Sequence, residues 1–258
     1  KLPRHPYAND CRRGLVAPGF EHEQVDLVFL ERSRAWLKTQ VKRAPDQPFF
    51  LYHATQAPHL PSFAAPRFQG ATQAGPHGDF IAELDHVVGE LLATLEQLGV
   101  ADNTLILFSS DNGPEEIFIL NAGHSGVGSP GPFRGRKRSL YEGGVRVPFL
   151  VRWPGRVPAG RVDDATVIGG IDFMPSLCAL AGVRLPEGHA ADGEDLSRAL
   201  LGGVVDRARS LMWEWRFGIA GHVINRSPQL SIRDGEGKLL LNPDRSRVEL
   251  YAINRDPS

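Results

Sequence analysis

The sequence has only two cysteines among its 258 residues, Cys11 and Cys178, and they lie far apart in the chain. Two such residues provide neither a disulfide framework nor a cysteine-based metal motif. No apolar run approaches the roughly 20 residues that a membrane-spanning helix requires. There is no internal repeat or low-complexity tract, and the first residues carry no apolar segment of signal-peptide length. The composition therefore indicates a globular protein rather than a disulfide-rich, membrane-spanning or repetitive one.

An excess of charge of either sign is also missing, because 29 Lys and Arg stand against 30 Asp and Glu. A net charge of −1 gives no overall field that would favour nucleic acid or an anionic membrane as a partner. The basic run Arg134–Arg138 is a local exception. Hydrophobic residues make up 41% of the chain, which is enough for the core of one large domain, or of a large and a small one.

The segment Thr104–Asn112 predicts a buried strand that ends in a polar edge. An unbroken apolar run followed by turn residues is typical of a strand in a parallel sheet. Ligands of open α/β sheets bind beyond the carboxyl ends of the strands, where Asp111 and Asn112 stand. One carboxylate and one amide oxygen suit a hard cation such as Ca²⁺ or Mg²⁺. An Asp-Asn-Gly sequence by itself is more often an ordinary turn.

A basic motif follows between Gly131 and Pro148. It places four cations within Arg134–Arg138, continues into the double glycine Gly143-Gly144, and enters a second apolar strand at Phe149–Val151. A basic run is usually a solvated surface. Here it stands beside the candidate metal loop and ahead of glycines that allow close backbone approach. This combination favours a site for a tetrahedral anion, held by a metal on one side and a lysine on the other.

The segments SSDNGPE and GPFRGRKRSLYEGGVRVPFLVRWPG resemble those of the sulfatases of the alkaline-phosphatase-like superfamily, in particular arylsulfatases and N-acetylgalactosamine-6-sulfatases. The resemblance covers most of the chain, but only the later portion of such an enzyme. It implies an α/β fold, with a mostly parallel sheet flanked by helices and a smaller antiparallel C-terminal subdomain. It also implies hydrolysis of the sulfate ester of a carbohydrate or an aryl compound, and a secreted, periplasmic or lysosomal location.

The resemblance implies roles for four residues. Asp111 and Asn112 would supply part of a metal site, with Ca²⁺ favoured over Mg²⁺, and Lys137 would bind sulfate and stabilise its developing charge. His59, in the segment PFFLY…PHLP, would contact the leaving oxygen as a general acid. A histidine in such a loop is otherwise most often an ordinary surface residue. We expect His59, Asp111 and Lys137 near a common edge of the sheet.

The formylglycine nucleophile of the family has no counterpart here. It forms from a cysteine followed by Pro at the second position and Arg at the fourth, whereas Cys11 is followed by Arg13 and Leu15. We therefore expect the nucleophile, an acidic pair for the metal and a lysine–histidine pair upstream of these residues. Without them, this chain is expected to bind Ca²⁺ weakly and to lack turnover.

Periodicity predicts the secondary structure. Helices are expected at Glu23–Val41 and 79–98, the second capped by Asp79. Short apolar runs predict strands at 49–52, 104–110 and 147–153 in one largely parallel sheet.

Residues 208–258 are expected to form an incomplete antiparallel subdomain that follows a first domain of residues 1–207. Apolar and polar residues alternate at Leu211–Trp215 and Leu230–Arg233, and Asp234–Gly237 is a hairpin turn signal.

Two other functions stay open at this point. A phosphoesterase of the same superfamily would also act on a tetrahedral anion, and its basic motif would serve the same purpose. A binding module for sulfated glycans would keep the basic site without the chemistry. Metal content and turnover of an aryl sulfate distinguish these functions from a sulfatase.

Overall fold

The computed structural model describes residues 14–115, 128–218 and 222–256, and they form two compact units. The first unit contains residues 14–104 and 128–129. The second contains residues 105–115, 130–218 and 222–256. The predicted boundary between 1–207 and 208–258 lies inside the second unit and stays a prediction. In the described part of the chain, no helix is long and apolar enough to cross a bilayer.

The first unit is built on two long helices, α1 (Val25–Arg43) and α2 (Gly75–Gln97), which pack against each other. Leu30 and Leu37 of α1 and Val87 of α2 are buried to 2% exposure or less. Both predicted helices are confirmed.

The start of α2 differs from the prediction, which placed the N-cap at Asp79. The helix begins at Gly75, because the proline at position 76 fits the first turn, where no backbone donor is needed. The carboxylate of Asp79 instead accepts hydrogen bonds from the backbone N–H groups of Gly70 and Thr72, at 2.9 and 2.8 Å. Asp79 therefore holds the preceding loop rather than the helix end.

The predicted strand at 49–52 is absent, since these residues have no regular secondary structure. A strand exists through its hydrogen bonds to a neighbour, and among the described residues this segment has no such partner. Its side chains Phe50 and Tyr52 are 74% and 81% exposed. The apolar run therefore indicated the wrong element here.

Two further buried carboxylates of the helices hold the loop that joins α1 to α2. Asp26, which is 2% exposed, accepts hydrogen bonds from the N–H groups of Gln56 and Ala57, at 2.6 and 2.8 Å. Glu83, which is 1% exposed, accepts one from Ala65 at 2.7 Å. Because an unpaired buried carboxylate is costly, these contacts fix the loop to the helices.

Glu83 is expected to make the stability of this unit depend on pH. Burial raises the pKa of Glu83 from 4.5 to about 7, with the charge of Asp26 adding to the rise and the Ala65 N–H and Arg67 opposing it. A group with a raised pKa in the fold stabilises it fully below its ordinary pKa and loses that contribution as pH rises. The free energy of unfolding should therefore fall between about pH 4.5 and pH 7, by roughly 1–3 kcal/mol.

Glu83→Gln should remove most of that slope, because the amide oxygen still accepts the Ala65 hydrogen bond but cannot ionise. Urea unfolding measured across this pH window tests the expectation. Glu96→Gln, at an exposed position of the same helix, is the matched control and should keep the slope. An unchanged slope in Glu83→Gln would contradict the prediction.

The second unit begins with strand β1 (Ile106–Ser109), which pairs with β2 (Phe149–Arg152). Both predicted strands are therefore present, but they run antiparallel, with Ser109 opposite Phe149, so the predicted parallel pairing is wrong for them. The Ser109 hydroxyl donates to the Pro148 carbonyl at 3.0 Å. The chain thus re-enters the sheet beside the point where it left, whereas a parallel pair needs a crossover to the opposite end.

Short helices and a second sheet complete this unit. The helices are α3 (Glu142–Val145), α4 (Phe173–Ala181) and α5 (Ser197–Leu200). The sheet has four antiparallel strands in chain order, as the alternating pattern predicted. They are β3 (Leu211–Glu214), β4 (Leu230–Asp234), β5 (Gly237–Leu241) and β6 (Glu249–Ala252).

The core of the second unit joins the basic motif to the four-stranded sheet. Leu140 and Tyr141 of the motif and Leu240 of β5 form a buried cluster, at 5%, 2% and 0% exposure. Two tryptophans of the sheet region, Trp213 and Trp215, pack against it. The C-terminal strands therefore support the segment that carries the predicted anion site.

Candidate functional site

Backbone hydrogen bonds join the Asp111 loop to the basic motif within the second unit. The N–H of Gly113 donates to the carbonyl of Gly144 at 2.9 Å, and the N–H of Lys137 donates to the carbonyl of Pro114 at 2.9 Å. The turn after β1 and the turn that carries Lys137 thus lie side by side. The structure thus brings the loop of Asp111 and Asn112 next to the turn of Lys137, while the roles of these residues stay predictions.

Glycines allow these two turns to approach so closely. A Cβ atom on Gly113 would lie 1.9 Å from the carbonyl oxygen of Gly143, and one on Gly144 would lie 2.1 Å from that of Ser139. Real Cβ atoms do not come this near to a backbone oxygen. Glycine is therefore required here because a residue with a Cβ atom could not pack so closely against the neighbouring backbone.

Gly144→Ala is expected to destabilise the protein by roughly 2–3 kcal/mol, because the added methyl group meets backbone rather than a movable side chain. Gly170→Ala is the matched control in the same unit, since an added Cβ there meets nothing within 4 Å. Thermal unfolding of both variants measures the difference. Equal melting temperatures for the two would show that the turns can separate without cost.

The structure divides the cations of the basic motif by their partners. The guanidinium of Arg134 lies over the ring of Tyr141, 4.1 Å from its centroid, and donates to the Tyr251 hydroxyl at 2.8 Å. Arg138 forms an ion pair with Glu115. Among the described residues, the Lys137 ammonium has no hydrogen-bond or ion-pair partner and is half-buried. Within the described residues, the lysine therefore keeps a charge that is available to a ligand.

Asp111 and Asn112 present oxygen atoms at the end of β1. Asp111 is exposed, and its carboxylate has no partner in the part of the chain that the structure describes. The Asn112 side-chain N–H donates to the carbonyl of Gly113 at 3.0 Å, which leaves its Oδ1 as the atom available to a ligand. Both oxygens are ligands that a hard cation prefers. The donor set therefore fits part of a Ca²⁺ site.

The described part of the chain shows no cluster of His, Cys, Asp or Glu side chains at these two residues. Within residues 14–115, 128–218 and 222–256, no group of three His, Cys, Asp or Glu side chains could hold a metal ion. Ca²⁺ takes about six to eight oxygen ligands. A Ca²⁺ site that included Asp111 and Asn112 would therefore need further oxygen ligands.

His59 lies in the first unit, in the loop that Asp26 holds at Gln56 and Ala57. Its ring is exposed, and its Nδ1 lies 2.6 Å from the carbonyl oxygen of Leu60. Because a carbonyl oxygen only accepts, the proton of this contact is on Nδ1. The Nε2 atom is then the ring nitrogen available to a substrate.

Sequence reasoning missed Glu142, the first residue of α3. It is 3% exposed and accepts hydrogen bonds from the Lys238 ammonium at 2.7 Å and from Arg146 at 2.9 Å. Burial raises the pKa of Glu142, but Lys238 and the two nearby arginines outweigh it and hold the pKa below its ordinary value. A signal was available, because an acidic residue between buried Leu140-Tyr141 and a double glycine has little room to reach solvent.

Comparison with known proteins gives the class to which this site belongs. The family model described as Sulfatase matches residues 3–183. A second model, described as N-sulphoglucosamine sulphohydrolase, C-terminal, matches residues 133–258. The matched residues include both turns of the site and the four-stranded sheet. The chain belongs to the sulfatase family.

Individual relatives agree with the family. The chain is 41% identical over 177 residues to N-acetylgalactosamine-6-sulfatase of Canis lupus familiaris, covering 68% of this chain and 32% of that protein. It is 41% identical over 157 residues to arylsulfatase A of Homo sapiens, covering 61% of this chain and 29% of that protein. The chain thus spans about a third of the length of the curated relatives it matches.

A solved structure supports the fold. The PsFucS1 sulfatase from Pseudoalteromonas sp. superposes with a TM-score of 0.75 at 28% identity, over 96% of this chain and 51% of that one. The combination of helices and strands is that of the predicted α/β class. The predicted antiparallel sheet is present, and the predicted parallel sheet is replaced among the described strands by an antiparallel pair.

Proposed function

We propose that the protein is a sulfatase that hydrolyses the sulfate ester of a sulfated carbohydrate or an aryl sulfate. The observation that carries the proposal is the backbone contact between the Asp111 loop and the Lys137 turn. Among the described residues, the Asp111 carboxylate and the Lys137 ammonium have no partner. The names of the relatives support the two substrate classes, since one is an N-acetylgalactosamine-6-sulfatase and another an arylsulfatase. The resemblance to sulfatases also favours a secreted, periplasmic or lysosomal location.

Asp111 and Asn112 are proposed to hold one side of a Ca²⁺ ion through a carboxylate oxygen and Oδ1. Ca²⁺ bound there would act as a Lewis acid on the sulfate oxygens. The hydrogen bond from Asn112 to Gly113 orients the amide, so that its oxygen does not have to be reorganised on binding. Because the pair brings one formal negative charge, further oxygen ligands must complete the site.

Lys137 is proposed to bind the sulfate group. The single negative charge of a sulfate ester is spread over three oxygens, so positive charge is also needed on the side away from the metal. The Lys137 ammonium has no competing carboxylate among the described residues. Its backbone is fixed by the hydrogen bond to Pro114. A positioned charge stabilises the transition state more than a mobile one, because it does not have to reorganise as the charge on sulfate shifts.

His59 is proposed to protonate the leaving oxygen. The contact of Nδ1 with the Leu60 carbonyl fixes the ring, and the doubly protonated ring would give up the proton on Nε2. Asp26 serves this role indirectly, because it holds the backbone of the same loop through Gln56 and Ala57. A formylglycine nucleophile, which we expect from the resemblance to sulfatases, would supply the covalent step.

Hydrolysis assays test the proposal. This chain, which is expected to lack turnover, and an N-terminally extended protein that carries the expected nucleophile are each incubated with 4-methylumbelliferyl sulfate, with the matching phosphate ester and with N-acetylgalactosamine 6-sulfate. Each incubation is run with added Ca²⁺ and with a chelator, and turnover is expected from the extended protein. Metal-dependent release of sulfate supports the proposal. Preference for the phosphate ester would identify a phosphoesterase, and binding of the sulfated sugar without turnover would identify a glycan-binding module.

A further inference from the structure

Lys238 of β5 is a buried lysine whose ammonium points at the segment that carries Lys137. It is 1% exposed, and its Nζ lies 2.7 Å from the Glu142 carboxylate and 5.2 Å from the centroid of the Trp213 ring. Lysine is almost never fully buried without a partner. Burial lowers the pKa of Lys238, and Glu142 opposes this, so the carboxylate keeps the charge in place.

Stability alone is a weak reason for this pair. Removing two charges from water costs as much as their attraction returns, and a well-packed apolar pair of the same size is often at least as stable. Glu142 also forms ion pairs with two arginines, since Arg146 lies 2.9 Å and Arg233 3.4 Å from its Oε2. The carboxylate would therefore stay neutralised without Lys238, but its Oε1 would lose the contact that ties it to β5.

Glu142 is coupled to the Lys137 turn through rigid backbone. The residue after it, Gly143, donates its N–H to the carbonyl of Arg134 at 2.7 Å. The next residue, Gly144, accepts the hydrogen bond from Gly113 and has no space for a Cβ against Ser139. A displacement at Glu142 would thus be passed to both ends of the turn rather than absorbed by a side chain.

We propose that the Lys238–Glu142 pair is a positioning device, through which the C-terminal antiparallel sheet fixes the turn that presents Lys137 to the sulfate. The proposal rests on the proposed function for the identity of that anion and extends it by giving a residue of the sheet a part in binding. Lys238 acts through Glu142 and does not touch the substrate. The buried cluster of Leu140, Tyr141 and Leu240 beside the pair keeps water from replacing the ammonium.

Amide hydrogen exchange followed by mass spectrometry tests the proposal without requiring turnover. Lys238→Met keeps the length of the side chain and leaves Glu142 with its two arginines. Peptides that cover residues 134–144 should exchange about tenfold faster in this variant, because local opening of the turn becomes easier. Glu142→Gln is the second variant and is expected to give the same change. It keeps the proposal testable if Lys238→Met does not fold.

Arg207→Met is the matched control, because it breaks another buried ion pair of the same unit, that with Asp172. It should lower the melting temperature without faster exchange in residues 134–144. Unchanged exchange of this segment in both test variants would overturn the proposal. An equal increase in Arg207→Met would also overturn it, since the effect would then be general destabilisation.

The same exchange experiment with added sodium sulfate distinguishes failure of this proposal from failure of the proposed function. Sodium sulfate should slow exchange of residues 134–144 in the wild type, less so in Lys238→Met, and least, though still measurably at high sulfate, in Lys137→Ala. The double variant Lys137→Ala/Lys238→Met should bind sulfate no more weakly than Lys137→Ala, because Lys238 affects sulfate binding only through the position of Lys137. No sulfate effect on the wild type, together with fast exchange in Lys238→Met, would refute the sulfate site and keep the positioning device. If the double variant instead lost as much sulfate binding free energy as the two single variants together, Lys238 would act independently of Lys137 and the proposal would be refuted.

Discussion

In a longer protein that carries the expected nucleophile and acidic pair, Asp111→Ala is expected to abolish Ca²⁺ binding and sulfate ester hydrolysis together. The carboxylate is the one formal negative charge that the proposed site contributes from this part of the chain, and it has no other partner among the described residues. Loss of a direct ligand should cost more than the roughly 10–100-fold in metal affinity that follows from loss of an outer partner. Because the side chain is exposed, the fold should tolerate the change.

Calorimetric Ca²⁺ titration and aryl sulfate hydrolysis on the same preparations measure both effects. Asp102→Ala, at an exposed position just before β1, is the matched control and should leave both unchanged. A variant that keeps its Ca²⁺ affinity while losing activity would place Asp111 on the substrate rather than on the metal. Full retention of both would remove Asp111 from the site.

In the same longer protein, Lys137→Ala is expected to lower kcat/KM for a sulfate ester by about 10²–10³, the range found when one preorganised charge-stabilising group is removed from an active site. Ca²⁺ affinity should not fall, because the ammonium is a cation and no metal ligand. The melting temperature should also be kept, since the turn is held by the backbone contact of Lys137 with Pro114 and not by the side chain.

Lys42→Ala, at an exposed position of α1, controls for the loss of one surface charge. Lys137→Arg adds a second comparison, because it keeps the charge but changes its shape and donor geometry. Activity in Lys137→Ala close to that of the wild type would assign sulfate binding to another group. A parallel loss of Ca²⁺ affinity would show that the lysine orders the metal loop.

Much of the candidate site could be read from the sequence because it is local. The Asp-Asn-Gly turn follows its apolar strand directly, and the double glycine follows the basic run, so each half was visible within a few residues. The roles of the arginines were not visible. Arg134 is engaged by Tyr251 and Arg138 by Glu115, residues 117 and 23 positions away, and only these contacts single out Lys137.

The sequence by itself determined the two helices of the first unit and the antiparallel strands at the C-terminus, since 3.6-residue and two-residue periodicity are properties of neighbouring residues. Only the tertiary structure decided the direction in which β1 and β2 pair, because that depends on where the chain re-enters the sheet. It also decided that Lys238 lies against Glu142, 96 residues away. A charge in a sequence does not carry the identity of its partner, which is set by the packing that buries both.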